Sequence, residues 1–507
     1  VRKGGGIAIK SELKPLRIRN NPKKISLLAK TQEEKMKKRL FVLALCLCMA
    51  VAIFAGCAPK ETTAAPTDGT TTAANGEKDF SGRSLDVLFM VGGQGQMADP
   101  ILATLEDVYP GLETNVTYDH NAADILRSRI LAGNPPDIFD VNGGMYSYYD
   151  AISEGVMMPL DFLYDVPCVD DPSKTLGDIL NFSMMTYGYV DGKHYCMSDS
   201  VYTSGLWYDA NMFQEKGYEL PETWDEFVAL GEKAKADDKY LLCYSTKYGG
   251  EYFYNYFFNP LLCSIDLEAF GKLQRLEEDA YSDPAVIEAL NRVQDLIDKG
   301  YTDVVSGTLE ITETQMEFCN GNILFYPCGS WLEAEMAGNW PDEFDLKYMP
   351  FPANEKGDPA YLAVAGVISS VSAKTQNVDI VKEYYRYMLS HKETTEKVVQ
   401  TTLNGLAIAD FSTNFGSLLS SSVASSWEAV DSGKAIGLRE LARAFYPGLA
   451  DQITNNVSAL NAGDIDVDGY VDALNKFYND TRADDSVLKR DYDMTAIMEA
   501  VAAYKAQ

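Results

Sequence analysis

An α/β fold, with helices covering mixed sheets, is what this sequence predicts. Three observations carry that expectation. Strand-like and helix-like apolar patterns alternate along most of the chain, without a repeat of fixed period. At 507 residues the chain is long enough for two or three compact units, taking roughly 150 residues per domain. Its 46% hydrophobic and 23% charged residues match a chain that buries a core.

The alternation begins with a buried-strand pattern, Leu85 to Val91, that runs into Gly92-Gly93-Gln94-Gly95. Apolar residues then recur at helical spacing from Ile101 to Tyr109, up to Pro110-Gly111, and a second strand follows at Glu113 to Tyr118. Ile125 to Leu131 predicts the next helix, stopped by Gly133 and Pro135-Pro136, and Asp137 to Val141 is another short strand. Further on, Thr223 and Glu226 have the spacing of a capping box, with Trp224, Phe227, Val228 and Leu230 forming the apolar face behind it. Asp283-Pro284 opens another helix, with Val286, Leu290, Val293 and Leu296 on one stripe and Gly300 just past its end.

Charge is unevenly spread. Residues 1–56 carry 13 Lys/Arg against 3 Asp/Glu, which leaves 31 against 71 in the remainder, a net of −40. So acidic a body repels phosphate backbones and anionic headgroups, which argues against nucleic-acid binding and adsorption to lipid surfaces. Of nine cysteines, Cys46 and Cys48 lie in an apolar leader and Cys57 just after it. The other six, Cys168, Cys196, Cys243, Cys263, Cys319 and Cys328, form no C-x-x-C pair, so neither a zinc site nor a redox motif is supported. Buried free thiols are expected, since free Cys packs like a small hydrophobe, with disulfides as the other reading.

Met36-Lys37-Lys38-Arg39, the apolar run Leu40 to Ala55 and then Gly56-Cys57 are the parts of an export signal. Its 16 apolar residues fall short of the ~20 that span a bilayer as a permanent helix. Phe54-Ala55-Gly56-Cys57 resembles the lipobox of bacterial lipoproteins, with Phe54 where an aliphatic residue is usual. That resemblance implies a diacylglyceryl group on Cys57, whose two acyl chains suffice for stable attachment; the alternative is an uncut signal anchor. Residues 1–35, polar and basic, are expected to be an over-extended gene start, and residues 57–83, rich in Ala, Thr, Pro and Gly, a flexible tether.

Several segments, in order, resemble the family 1 extracellular solute-binding proteins of carbohydrate import systems, the maltose-binding-protein-like group. They are Ala132-Gly133-Asn134-Pro135-Pro136-Asp137-Ile138, then Gly155 to Asp161, then Tyr189-Val190-Asp191-Gly192-Lys193-His194-Tyr195. Gly205-Leu206-Trp207-Tyr208-Asp209 follows, with Met212-Phe213 and Pro221 to Phe227, and later Phe318 to Leu324, Gly329-Ser330-Trp331 and Pro350-Phe351-Pro352. Asp209 stands where the family more often has Asn. The resemblance implies a two-lobed, periplasmic-binding-protein-like type II fold, with hinge strands joining the lobes and a ligand cleft between them. Lobe 1 is expected at 84–200 and 361–415, and lobe 2 at 201–360 and 416–507. It also implies a sugar or oligosaccharide as ligand, a non-sugar solute being the other reading, with capture by hinge closure and the permease subunits of an ABC importer as partners. The protein is then expected to be a monomer without a cofactor, on the outer face of the cell membrane.

A sugar needs aromatic faces for its C–H patches and fixed polar groups for its hydroxyls. By resemblance Trp331 is a stacking platform on the cleft wall, the other reading being a core Trp; Trp224 and Trp207 are expected in the core. Gly93 and Gln94, with Gly92, end the first strand, where the backbone either meets ligand or only turns. Asn142 and Gly143 follow the strand that begins at Asp137, and Tyr202 lies in the hinge segment. Asp199 is placed to pair two sugar hydroxyls or an amine, or is a solvated loop acid. Gly366 gives either close backbone approach on the returning strand or packing relief. Asp464, Asp466, Asp468 and Asp472, with Gly469, read like the front of a calcium loop, but Asn475 stands where a bidentate Glu is expected, and an acidic helix entry is favoured.

Two other function classes are formally open. Gly93-Gln94-Gly95-Gln96-Met97-Ala98 between a strand and a helix, with Asp119 closing the next strand, has the form of a dinucleotide fingerprint; an exported chain has no ready supply of that cofactor. A secreted glycoside hydrolase would need two carboxylates across a cleft, and the sequence gives no way to choose a pair. His120, His194 and His391 sit in no recognisable catalytic or metal constellation. Binding without turnover is therefore expected.

Overall fold

The computed structural model describes residues 71–72, 78–90, 96–141, 148–185, 188–336, 338–446 and 448–507. Cys57 and the expected leader, with Gly93, Gln94, Asn142 and Gly143, lie outside the described residues.

The first half opens as the alternation requires. Strand β1 (Ser84–Met90) is followed by helix α1 (Asp99–Val108), β2 (Glu113–Asp119), α2 (Ala122–Ala132), β3 (Ile138–Phe139) and α3 (Tyr148–Ser153). β1 pairs parallel to both β2 and β3. Its residues Leu85, Val87, Leu88 and Phe89 are buried, so both faces must be covered, as parallel sheets demand. α2 packs on one face, with Leu88, Leu126 and Phe139 in one small core. α2 ends at Gly133, whose φ of 80° is the left-handed conformation a helix stop requires.

Strand β4 (Met197–Asp209) then runs for 13 residues. Beyond it come α4 (Trp224–Ala236), β5 (Tyr240–Leu242), α5 (Asn259–Ile265), α6 (Pro284–Asp298), α7 (Ile311–Cys319), β6 (Ile323–Gly329) and β7 (Leu346–Met349). The chain returns along β8 (Ala360–Val371), followed by α8 (Val378–Ser390), α9 (Lys392–Thr402), α10 (Ser421–Asp431), β9 (Ala435–Leu438), α11 (Leu449–Ala462), α12 (Val467–Ala483) and α13 (Thr495–Lys505).

One nine-stranded sheet runs through both halves in the order β2-β1-β3-β8-β4-β6-β5, with β7 pairing to β4 and β9 to β8. β4 and β8 are its spine, antiparallel to each other; β6 lies parallel to β5 and β9 parallel to β8. α8 and α9 come back to pack on α1, while α11 and α12 pack together beside α6. Trp207 and Trp224 are core residues as expected. Burial of each large apolar side chain contributes about 1.5–3 kcal/mol. All six cysteines of the body are free and buried, and burial pushes the Cys196 and Cys319 thiols up to about 12. Among the described residues no helix is long and apolar enough to cross a membrane.

Candidate functional site

In open sheets with parallel strands, ligands bind outside the carboxyl ends of the strands, where backbone groups and loop side chains converge. Here those ends lie along the spine. β5 leads to Ser245 and then Glu251; β6 ends in Gly329 and delivers Ser330 and Trp331; β9 delivers Arg439, Glu440 and Arg443.

Trp331 is half-buried. Its ring meets Tyr202 of β4 edge-on at 5.6 Å and Tyr256 at 5.5 Å. Gly329 makes that pose available, because a Cβ there would fall 2.0 Å from the indole. Ser330 holds the turn from below, its backbone N–H donating to the Thr203 carbonyl at 2.8 Å and its hydroxyl to Asn404 Oδ1 at 2.8 Å. On the floor, Tyr202 pairs with Ala365 and Val201 with Gly366. Both Ala365 and Gly366 keep partial exposure. A Cβ on Gly366 would stand 2.2 Å from the Ser200 carbonyl oxygen, so the glycine lets the two spine strands close on each other ahead of the register shift at Val367/Ile368.

Asp199 is placed differently from its neighbour Tyr202. Strand alternation turns its carboxyl inward, fully buried, with no hydrogen bond of normal geometry to either oxygen. Burial pushes it well above the usual carboxylate range and Asp140 adds to the rise; the Ser369 hydroxyl, shared with Tyr385 at 2.7 Å, opposes it only in part. It faces the interior below the floor.

Sequence reasoning missed the group opposite Trp331. Tyr254–Phe258 is a turn of π-helix leading into α5, a form common at functional sites. The Asn255 and Tyr256 N–H groups both donate to the Glu251 carbonyl, at 3.0 and 3.2 Å. This winding brings the Tyr256 hydroxyl back onto the Glu251 carboxylate, which also accepts from Asn255 Nδ2 at 3.3 Å and Arg443 Nη1 at 2.6 Å. Arg443 Nε donates to Glu440 at 2.6 Å. Burial alone would raise the Glu251 pKa, but the Arg443 charge and the three donors together hold it below the usual range. Of the Glu251 side-chain surface 39% stays open.

The acidic segment near 464–472 is a helix entry. Asp466 caps α12 by accepting from the Gly469 N–H at 2.9 Å, and Asp468 and Asp472 lie within the helix. No cluster of three or more metal-ligating side chains occurs among the described residues.

The chain is 28% identical over 393 residues to the diacetylchitobiose-binding protein NgcE of Streptomyces coelicolor, covering 75% of this chain and 80% of that one. It is 24% identical over 293 residues to a multiple sugar-binding protein of Streptococcus mutans, covering 57% and 66%. Among solved structures, apo RafE of Streptococcus pneumoniae aligns with a TM-score of 0.61 at 21% identity, covering 78% of this chain and 97% of that one. The solute receptor AcbH aligns at 0.62 and 17% identity over 78% and 98%. These neighbours have the two-lobed type II fold, and the sheet described above is its mixed α/β counterpart. The model of the bacterial extracellular solute-binding proteins matches residues 94–395, more than half of the sequence, and the chain belongs to that family.

Proposed function

We propose that this protein is a lipid-anchored receptor that captures a sugar or oligosaccharide in the cleft between two lobes and hands it to the permease subunits of an ABC importer. As a member of a binding family it works outside the cytoplasm and holds its guest without turnover. The observation that carries the sugar reading is the half-buried Trp331, set against Tyr202 and Tyr256 beside ionised hydrogen-bonding groups. An aromatic face takes the C–H side of a pyranose and the polar groups take its rim hydroxyls. Two relatives, a diacetylchitobiose-binding protein and a multiple sugar-binding protein, support it.

In this reading 84–200 with 361–415 forms one lobe and 201–360 with 416–507 the other, with β4 and β8 as hinge strands. We infer that Tyr202, Trp331 and Gly366 line the cleft and that Gly93, Gln94, Asn142 and Gly143 also contact the ligand, with Asp199 supporting the floor from beneath. Cys57 carries the lipid, residues 57–83 give the body reach, and the protein acts as a monomer. Hinge closure follows when groups of both lobes bond one ligand, because only differential affinity shifts such an equilibrium.

The test is thermal unfolding of the protein with a sugar panel that includes diacetylchitobiose and raffinose. A ligand at about 100 times its Kd adds about 2.7 kcal/mol of stability, so a true ligand raises the melting temperature measurably. An unmoved melting temperature across the panel, or cleavage products in the mixture, overturns the reading.

A further inference from the structure

The last two helices, α12 and α13, are joined by residues 484–494, which form neither helix nor strand and lie past residue 395, where the family match ends. This segment is moored to its own half of the protein. The Arg490 N–H donates to the Tyr446 hydroxyl at 3.2 Å, the Tyr492 hydroxyl donates to the Arg439 carbonyl, and Tyr492 and Met494 are buried. From that mooring the Arg490 side chain reaches across to α3. Its guanidinium lies 5.0 Å from the centre of the Tyr149 ring and 5.5 Å from that of Phe445, and Nη2 donates to Ser153 Oγ at 3.1 Å. The two rings themselves meet edge to face at 4.3 Å. Tyr149 and Ser153 stand on α3, which follows β3, and Phe445 follows β9, just beyond the Arg443 that bonds Glu251. Carboxyl ends of such strands face the cleft, so this contact draws together the two rims that meet when the cleft shuts. Packing beneath it is incomplete: a cavity of about 480 Å³ is lined by Tyr189, Asp191 and Gly192 on one side and by Arg490, Asp491 and Asp493 on the other. The segment therefore rests on the first lobe through side chains, not through a close-packed face, and such a contact can be released.

Building on the two-lobe reading above, we infer that residues 484–494 are a strap, fixed to the second lobe, that clasps the first through Arg490 and biases the receptor toward its shut arrangement. Arg490 is a positioning residue: it acts through Tyr149, Ser153 and Phe445, all groups of the protein itself. A flat cation set against two aromatic rings, with one hydrogen bond across the seam, favours the shut arrangement by a factor of about 5 to 10. That bias is the same whatever guest the cleft holds. It scales every affinity by a common factor and selects no guest, because only contacts that differ between guests discriminate among them.

The experiment is double electron–electron resonance on the full chain, with spin labels carried by Leu131→p-acetylphenylalanine and Val305→p-acetylphenylalanine, a chemistry that spares the thiols. These positions are 83% and 72% exposed, one on each lobe. Without sugar, Arg490→Ala is expected to lower the ratio of short to long distances by about 5- to 10-fold. Arg490→Lys, which keeps the charge and loses the flat ion, is expected to lower it by less. An identical distance distribution in Arg490→Ala and in the parent overturns the inference, and so does a shift toward shorter distances. Should Arg490→Ala fail to fold, Ser153→Ala, which removes only the bond across the seam, decides by the same two outcomes. With any sugars that raise the melting temperature in the panel above, Arg490→Ala is expected to weaken binding by one common factor; a factor that differs from sugar to sugar overturns the inference, since Arg490 would then be touching the guest. A panel in which no sugar binds brings down the sugar reading and leaves the distance measurement to judge the strap by itself.

Discussion

Gly329 and Gly366 hold their places because of what would collide with a side chain: the Trp331 indole in one case and the Ser200 carbonyl in the other. The G-x-W spacing was therefore legible, since the residue that makes room and the ring that uses the room lie two positions apart. Asp199 was legible only as an acid in the hinge segment; which way it turned depended on the pairing of β4 with β8. Its folded pKa is raised, first by burial and then by Asp140. A raised value means that its contribution to stability is complete below the unfolded value near 3.8 and is lost as pH rises through the folded one. Asp199→Asn is accordingly expected to raise the urea midpoint at pH 8 more than at pH 4. A larger gain at pH 4 would contradict the assignment.

Among the elements, α4 is the best foretold. Thr223 and Glu226 form the capping box that their spacing predicted, with the Thr223 hydroxyl accepting from the Glu226 N–H and Glu226 reaching back to the Thr223 N–H. Thr223→Ala is expected to cost about 1 kcal/mol of stability, the usual loss of a hydroxyl cap, seen as a lower urea midpoint with the m-value unchanged. The π turn at Tyr254–Phe258 was not foretold. Its residues, Tyr-Asn-Tyr-Phe-Phe, carry the aromatic density of an ordinary core helix, and an extra residue per turn leaves no mark on apolar periodicity. The acidic run at 464–472 follows the helix-entry reading, because Asp466 finds the donor of its own helix at Gly469.

Across the whole molecule, the start of the body is tied to α8 by charge. Arg83 forks onto both oxygens of Asp379 at 2.7 Å, and Lys78, Tyr109 and Arg386 all donate to the buried Glu383. Burial would raise both acids, but these partners hold them below their ordinary values. A depressed folded pKa gives stability that is present above the unfolded value, 4.5 for Glu383, and lost as pH falls through the folded one. Glu383→Gln is expected to lower the urea midpoint at pH 7 and to flatten its decline between pH 5 and pH 3; an unchanged acid limb would show that this network does not set acid stability.

By itself the sequence determined the α/β alternation, the caps and stops of single helices and the ordered motifs of the family, because each rests on periodicity or spacing among near neighbours. Only the tertiary structure decided that Glu251, Trp331 and Arg443, far apart along the chain, share one wall. That convergence depends on β6 and β8 both pairing with β4, and on β9 lying beside β8. Pairing between distant strands is a property of the whole packed sheet, and a local pattern of residues carries no record of which strand its neighbour will be.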